Sequence, residues 1–163
     1  MKIATSILSA CFLVACASDI PVVPTTAHHP EALVFDPEPE LAATEGVDEA
    51  LRDAALAGKH AMIVLGADWC HDSRALAGWF QTPRFAALLQ DNYVIRYIDV
   101  GQKDQNIHIA QRFGLDEVLG TPTVFVTDQQ GHVLNQETAP TWRNAASRSE
   151  DSIYEYFAEF APQ

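Results

Sequence analysis

Five apolar residues in a row, Ala61-Met62-Ile63-Val64-Leu65, closed by Gly66, constrain this chain more than any other feature. A strand with no polar position has no face to give to water, so it belongs in the interior of a sheet that is covered on both sides. The chain has the means to cover it. Of 163 residues, 48% are hydrophobic and 20% charged, which supports one ordinary core and excludes both a fully disordered chain and a membrane bundle.

The flanking segments supply the covering layers. Val47, Leu51, Ala54, Ala55 and Leu56 recur near helical spacing up to Gly58, which predicts a helix over Val47–Lys59. After the apolar strand, Ser73–Phe80 reads as a helix, and Thr82-Pro83 stops it and caps a second one over Arg84–Gln90. Tyr93–Val100 is β-rich, Ile107–Phe113 is a short amphipathic helix ended by Gly114, and Thr123–Thr127 is another apolar strand. Asp128-Gln129-Gln130-Gly131 marks a turn that can return His132–Asn135 as a hairpin arm. Ser149 or Ser152 can cap a last helix whose Ile153, Tyr156, Phe157 and Phe160 form one apolar face. The order predicts parallel strands first and an antiparallel hairpin last. Phe80, Phe85, Tyr93, Phe113, Phe125 and Phe157 are the expected core rings.

The beginning of the sequence reads as an export signal. Met1-Lys2 is followed by the apolar run Ile3–Val14, which is too short to span a bilayer core of about 30 Å. Leu13-Val14-Ala15-Cys16 resembles the lipobox of bacterial lipoproteins, which implies a lipid anchor to a membrane at Cys16; Ala17 after it points weakly to the outer membrane of the periplasm. Ala15-Cys16-Ala17 also fits ordinary signal cleavage, which would release a soluble periplasmic protein. The expected organisation is a signal at 1–16, a Pro-rich acidic tether at 17–46 holding five of the nine prolines, and one domain at 47–163. Such a tether would reach about 90 Å if fully extended. Cys11 is lost in either cleavage and Cys16 is lipidated or lost, so Cys70 is left without an internal disulfide partner.

A formal charge of -12 repels phosphate backbones, and no basic stripe opposes it, so no nucleic-acid partner is expected. No cofactor is implied. No metal is implied either: His28-His29 lacks a second ligand pair at a useful spacing, and His60, His108, His132, Asp99 and Asp116-Glu117 read as packed, solvated or turn-forming residues.

Three features then come together. The apolar strand runs into Ala67-Asp68-Trp69-Cys70-His71-Asp72-Ser73 and a helix, Gly120-Thr121-Pro122-Thr123 precedes the next strand, and a turn over Asp128–Asn135 follows it. In this order, over about residues 47–161, the chain resembles the thioredoxin superfamily, in a single-cysteine C-x-x-S form. The resemblance implies a thioredoxin-like α/β three-layer sandwich, with a central mixed sheet of about four to five strands flanked by helices. It further implies a cis peptide at Thr121-Pro122 lying against Cys70, and a substrate strand held by the backbone of Thr121. Trp69, His71, Thr121 and Pro122 are the expected substrate contacts; for Trp69, plain core packing is the alternative.

A cysteine at a helix start meets unpaired N–H groups and the positive end of the helix dipole, which favour a thiolate nucleophile. Ser73, one turn on, can donate a hydrogen bond to that sulfur but cannot form a disulfide. Asp68 and Asp72 oppose the negative charge, and a protonated His71 supports it. Two departures from the dithiol members of the superfamily agree with each other. Ser73 stands where the resolving cysteine would be, and Val64 stands where many of those members carry a buried acid. The expected function is monothiol thiol-disulfide chemistry at Cys70 on exported proteins bearing disulfides or oxidised cysteines, with an external thiol reductant resolving the mixed disulfide. The alternative is a non-catalytic peptide-binding module of the same fold.

Overall fold

The computed structural model describes residues 40–163. The expectations for the signal, for Cys11, Cys16 and His28-His29, and for the tether up to residue 39 lie outside the described residues.

Strand β1 (His60–Gly66) is buried at every position from Ala61 onward, as its lack of polar residues requires. It is the middle strand. On one side it pairs in parallel with β2 (Tyr93–Asp99), from His60↔Tyr93 to Gly66↔Asp99; on the other it pairs antiparallel with β3 (Thr123–Thr127), from Ala61↔Thr127 to Leu65↔Thr123. Alternate residues therefore feed two cores. Met62 and Val64 join Val124 and Val126 under α2 (His71–Phe80), α3 (Pro83–Asn92) and α5 (Glu150–Glu159). Ala61, Ile63 and Leu65 join Ile98 and Phe125 under α1 (Glu40–Ala57) and α4 (Ile107–Arg112). The result is the expected thioredoxin-like mixed sheet between two helical layers.

The sheet has three strands among the described residues. The expected hairpin arm shrinks to one bridge, Thr127↔Val133, reinforced by hydrogen bonds from Asp128 N to His132 O and from Leu134 N to Val126 O. The physical reason is Asn135. Its buried side chain accepts Val126 N–H at 2.9 Å and donates to Val124 O at 2.8 Å, so an amide does the work of a further strand backbone along β3.

Helix α1 begins at Glu40, seven residues before the helix expected at Val47–Lys59. Ala43 and Val47 are both fully buried, which holds these turns against the sheet. Gly46 masks this in the sequence. A Cβ there would run into the Arg96 guanidinium, so the glycine makes room for that side chain. Thr82 precedes α3 in extended conformation, but its hydroxyl donates to Trp79 O at 2.9 Å instead of capping a helix N–H. Ser149 does cap α5, accepting Ser152 N–H at 3.2 Å. All six expected core rings are buried.

Candidate functional site

The site is built where β1 ends. Gly66 closes the strand, and Cys70 N–H donates to Ala67 O at 3.0 Å, which folds Ala67–Cys70 into a tight turn. Cys70 is then the N-cap of α2, with extended backbone angles (φ -83°, ψ 115°), and its carbonyl accepts Arg74 N–H at 3.1 Å. Its side chain does not cap the helix; it turns toward the β3 side. There Thr121-Pro122 forms a cis peptide, and the Cys70 thiol donates to Thr121 O at 3.2 Å. The sequence placed these two segments 51 residues apart in the chain, and the fold brings them into hydrogen-bond contact.

Cys70 is 8% exposed, so it is largely covered. Trp69 beside it is 50% exposed, which rules out plain core packing for that ring. Its indole N–H donates to Gly101 O at 2.7 Å, pinning it to the loop after β2 as a fixed apolar wall. His71 and Asp68 are exposed. Asp72 is engaged: its Oδ1 accepts Ala146 N–H at 2.8 Å, tying the first turn of α2 to a 3₁₀ turn at Ala145–Ser147.

Ser73 differs from its expected contact. It is fully buried, its Oγ accepts Ala67 N–H at 3.4 Å, and among the described residues no hydrogen bond joins it to the Cys70 sulfur. With the thiol turned to Thr121 O, the hydroxyl instead satisfies the turn that carries the cysteine. Val64 is fully buried in the apolar layer behind the site, so no carboxylate stands there. Cys70 is the free cysteine of the described residues, and no cluster of three or more His, Cys, Asp or Glu among them could hold a metal.

Sequence reasoning missed the wall beyond Thr121. A 3₁₀ turn at Ala139–Trp142 and the one at Ala145–Ser147 carry no helical period long enough to read, and they bring Arg143 and Arg148 beside Leu119. Leu119, 59% exposed, lies two residues before Thr121. Burial holds the Arg148 guanidinium below its ordinary value, against the opposing pull of Tyr156. It remains a cation at any physiological pH.

The described residues contain no helix long and apolar enough to cross a membrane. A thioredoxin-like family profile matches residues 42–129, from the first turns of α1 through β3. No curated protein matches the chain by sequence. Among solved structures, a disulphide isomerase from Xylella fastidiosa Temecula1 superposes with a TM-score of 0.70 at 30% identity, over 78% of this chain and 95% of that one. The C-terminal domain of DsbD from Neisseria meningitidis, in its reduced form, matches at a TM-score of 0.50 and 19% identity, over 71% of this chain and 95% of that domain, a likeness of fold alone. The match across most of the domain and the identity to the Xylella protein lead to one conclusion: this chain belongs to the thioredoxin-like family.

Proposed function

We propose that this protein is an exported monothiol oxidoreductase, lipid-anchored through Cys16 in the periplasm, in which Cys70 forms mixed disulfides with cysteine-bearing envelope proteins. The observation that carries the reading is the meeting of Cys70, at the start of α2, with the backbone of Thr121, beside the half-exposed ring of Trp69. The similarity to a disulphide isomerase is consistent with it.

In the resting state the thiol proton is directed at Thr121 O. An extended substrate strand can offer a backbone N–H to that oxygen instead, releasing the thiol to lose its proton. The Cys70 sulfur then attacks one sulfur of the substrate disulfide; a new S–S bond forms, the old one breaks, and the departing sulfur takes the electron pair and a proton. Ser73 cannot attack the mixed disulfide. An external thiol does so, becomes oxidised in the exchange, and returns Cys70 to the thiol. Asp68 and His71, two residues before and one after Cys70, are exposed and can meet an incoming substrate.

The second reading, a non-catalytic peptide-binding module, is favoured by one observation: the sulfur is largely covered while the rings and aliphatic chains around it are open. One experiment separates the two. The intact chain, with Cys11 and Cys16 replaced by serine so that Cys70 is its one cysteine, is mixed with a synthetic peptide carrying a pyridyl disulfide and followed by intact mass; the same protein serves in every peptide experiment below. The proposal expects one peptide adduct per folded chain, lost in Cys70→Ser. No adduct on the folded chain, with full reaction after denaturation, would leave the binding module as the function.

A further inference from the structure

Two arginines elsewhere on this acidic protein are paired with carboxylates. Arg84 meets Asp151 at 2.6 Å and Glu150 at 3.4 Å, and Arg112 meets Asp48 at 2.6 Å. The two arginines on the turns beside Leu119 have no carboxylate partner among the described residues. Arg148 donates from Nε to Asn144 Oδ1 at 2.9 Å and from Nη2 to Thr141 O at 2.9 Å, and its guanidinium lies 4.0 Å above the Trp142 ring. Every one of these partners is neutral, so the charge is fixed in place and left uncompensated. Arg143 is exposed and has no hydrogen bond or ion pair among the described residues.

Both line a cleft of about 330 Å³ with Leu119, Pro140, Thr141 and Asn144. Its place in the fold is set by two ties. The stem of Arg143 lies against Gly120, where a Cβ would stand 3.0 Å from Arg143 Cβ, and the Asp72–Ala146 hydrogen bond fastens the same turn to the start of α2. Leu119, on the cleft wall, lies two residues from Thr121, at most about 7 Å between their Cα atoms, and Thr121 O holds the Cys70 thiol. None of the neighbouring acids pairs with the cleft arginines: Asp72 Oδ1 accepts Ala146 N–H, and Asp72, Asp116 and Glu117 form no ion pair with Arg143 or Arg148 among the described residues.

We infer that this cleft recognises a carboxylate on the disulfide substrate itself, carried by a residue close in sequence to the cysteine that Cys70 attacks. The inference rests on the thiol reading of Cys70 given above and adds the substrate class: an extended, acidic cysteine peptide. Arg148, held in place by neutral partners, offers a fixed guanidinium, and exposed Arg143 adds a second cation; together they can recognise a carboxylate and steer negative partners toward an otherwise repelling surface. Leu119, 59% exposed on the cleft wall, and Trp69, 50% exposed next to Cys70, offer apolar surface to such a peptide.

The test uses two synthetic tetrapeptide pyridyl disulfides that differ only in Glu or Gln two residues from the cysteine. Cys70 bonds to the peptide sulfur, the bond to the pyridyl sulfur breaks, and pyridine-2-thione leaves with the electron pair and a proton, so its absorbance reports the rate. On the intact chain the Glu peptide should react about threefold to tenfold faster than the Gln peptide. Arg143→Gln should bring the two rates close together, Arg143→Lys should keep most of the preference, and Arg52→Gln, an equal loss of charge on α1, should leave it unchanged. Added salt should shrink it. Equal rates on the wild-type chain, or a preference that survives Arg143→Gln, overturn the inference and leave the thiol reading standing. If neither peptide reacts, the thiol reading falls. The preference is then read from equilibrium binding of the same peptides with serine in place of cysteine: tighter binding of the Glu form supports the cleft, and equal binding overturns it.

Discussion

The two layers that cover the sheet are made of different material. Beneath α2, α3 and α5 the core is built of rings: Trp142 stacks on Phe157 at 4.8 Å, Phe80 meets Phe157 edge-on at 5.1 Å, and Trp79 and Phe80 both reach Phe85 at 6.1 Å. Beneath α1 and α4 it is mostly small and aliphatic, with Ala43, Ala50, Ala54, Ala61 and Ala110 all buried around a single ring pair, Phe113 and Phe125 at 5.1 Å. Alanines let a helix lie close to a sheet and nothing more, whereas large plates fix the position of irregular segments that have few hydrogen bonds of their own. The chemistry sits at the rim of the ring-built layer. Cys70 opens α2 there, and Trp142 anchors the turns that carry Arg143 and Arg148.

This contrast can be sharpened by variants, beginning with the largest effect. Ser73→Cys restores a second sulfur one turn after the first. Intramolecular attack with an effective molarity of about 10⁵ M should shorten the life of a Cys70 mixed disulfide more than 100-fold, as read by intact mass over time. A lifetime like that of the wild type would mean that position 73, facing Ala67 N–H, cannot turn to the sulfur.

Damage to the two layers should separate next. Trp142→Ala removes the largest fully buried side chain and should cost about 3–5 kcal/mol in denaturant unfolding. It should also erase the preference for the Glu peptide, because Arg148 loses the ring it lies on. Val47→Ala, fully buried on the opposite layer, should cost about 2 kcal/mol and leave both the reaction rate of Cys70 and the peptide preference unchanged. If Val47→Ala altered the preference as much as Trp142→Ala, the division of labour between the layers would be wrong. The smallest effect belongs to Ser149→Ala. It removes the side-chain cap of α5 and should lower stability by about 1 kcal/mol with no change at Cys70.

What could be read from the sequence follows the same division. β1 and β3 are legible because an unbroken apolar run allows few other arrangements, and Cys70 with Thr121-Pro122 is legible because both lie at the ends of such runs. The first turns of α1 are not, because Gly46 and a run of alanines carry no helical stripe although Ala43 is fully buried. Asn135 hides for a related reason. A side-chain amide that stands in for a strand leaves no alternating pattern, so β3 reads as the first arm of a hairpin. The cleft residues are the least legible. Arg143 and Arg148 sit on two 3₁₀ turns whose place depends on Trp142, on Gly120 and on the distant Asp72, none of which is a local signal.

The central claim is that Cys70 exchanges disulfides without a second sulfur of its own, and the lifetime of its peptide adduct tests it most directly. On the intact chain, the adduct should persist when no free thiol is present and should be discharged, with one peptide released per chain, as soon as an external thiol is added. An adduct that decays at the same rate with and without that thiol would contradict the account.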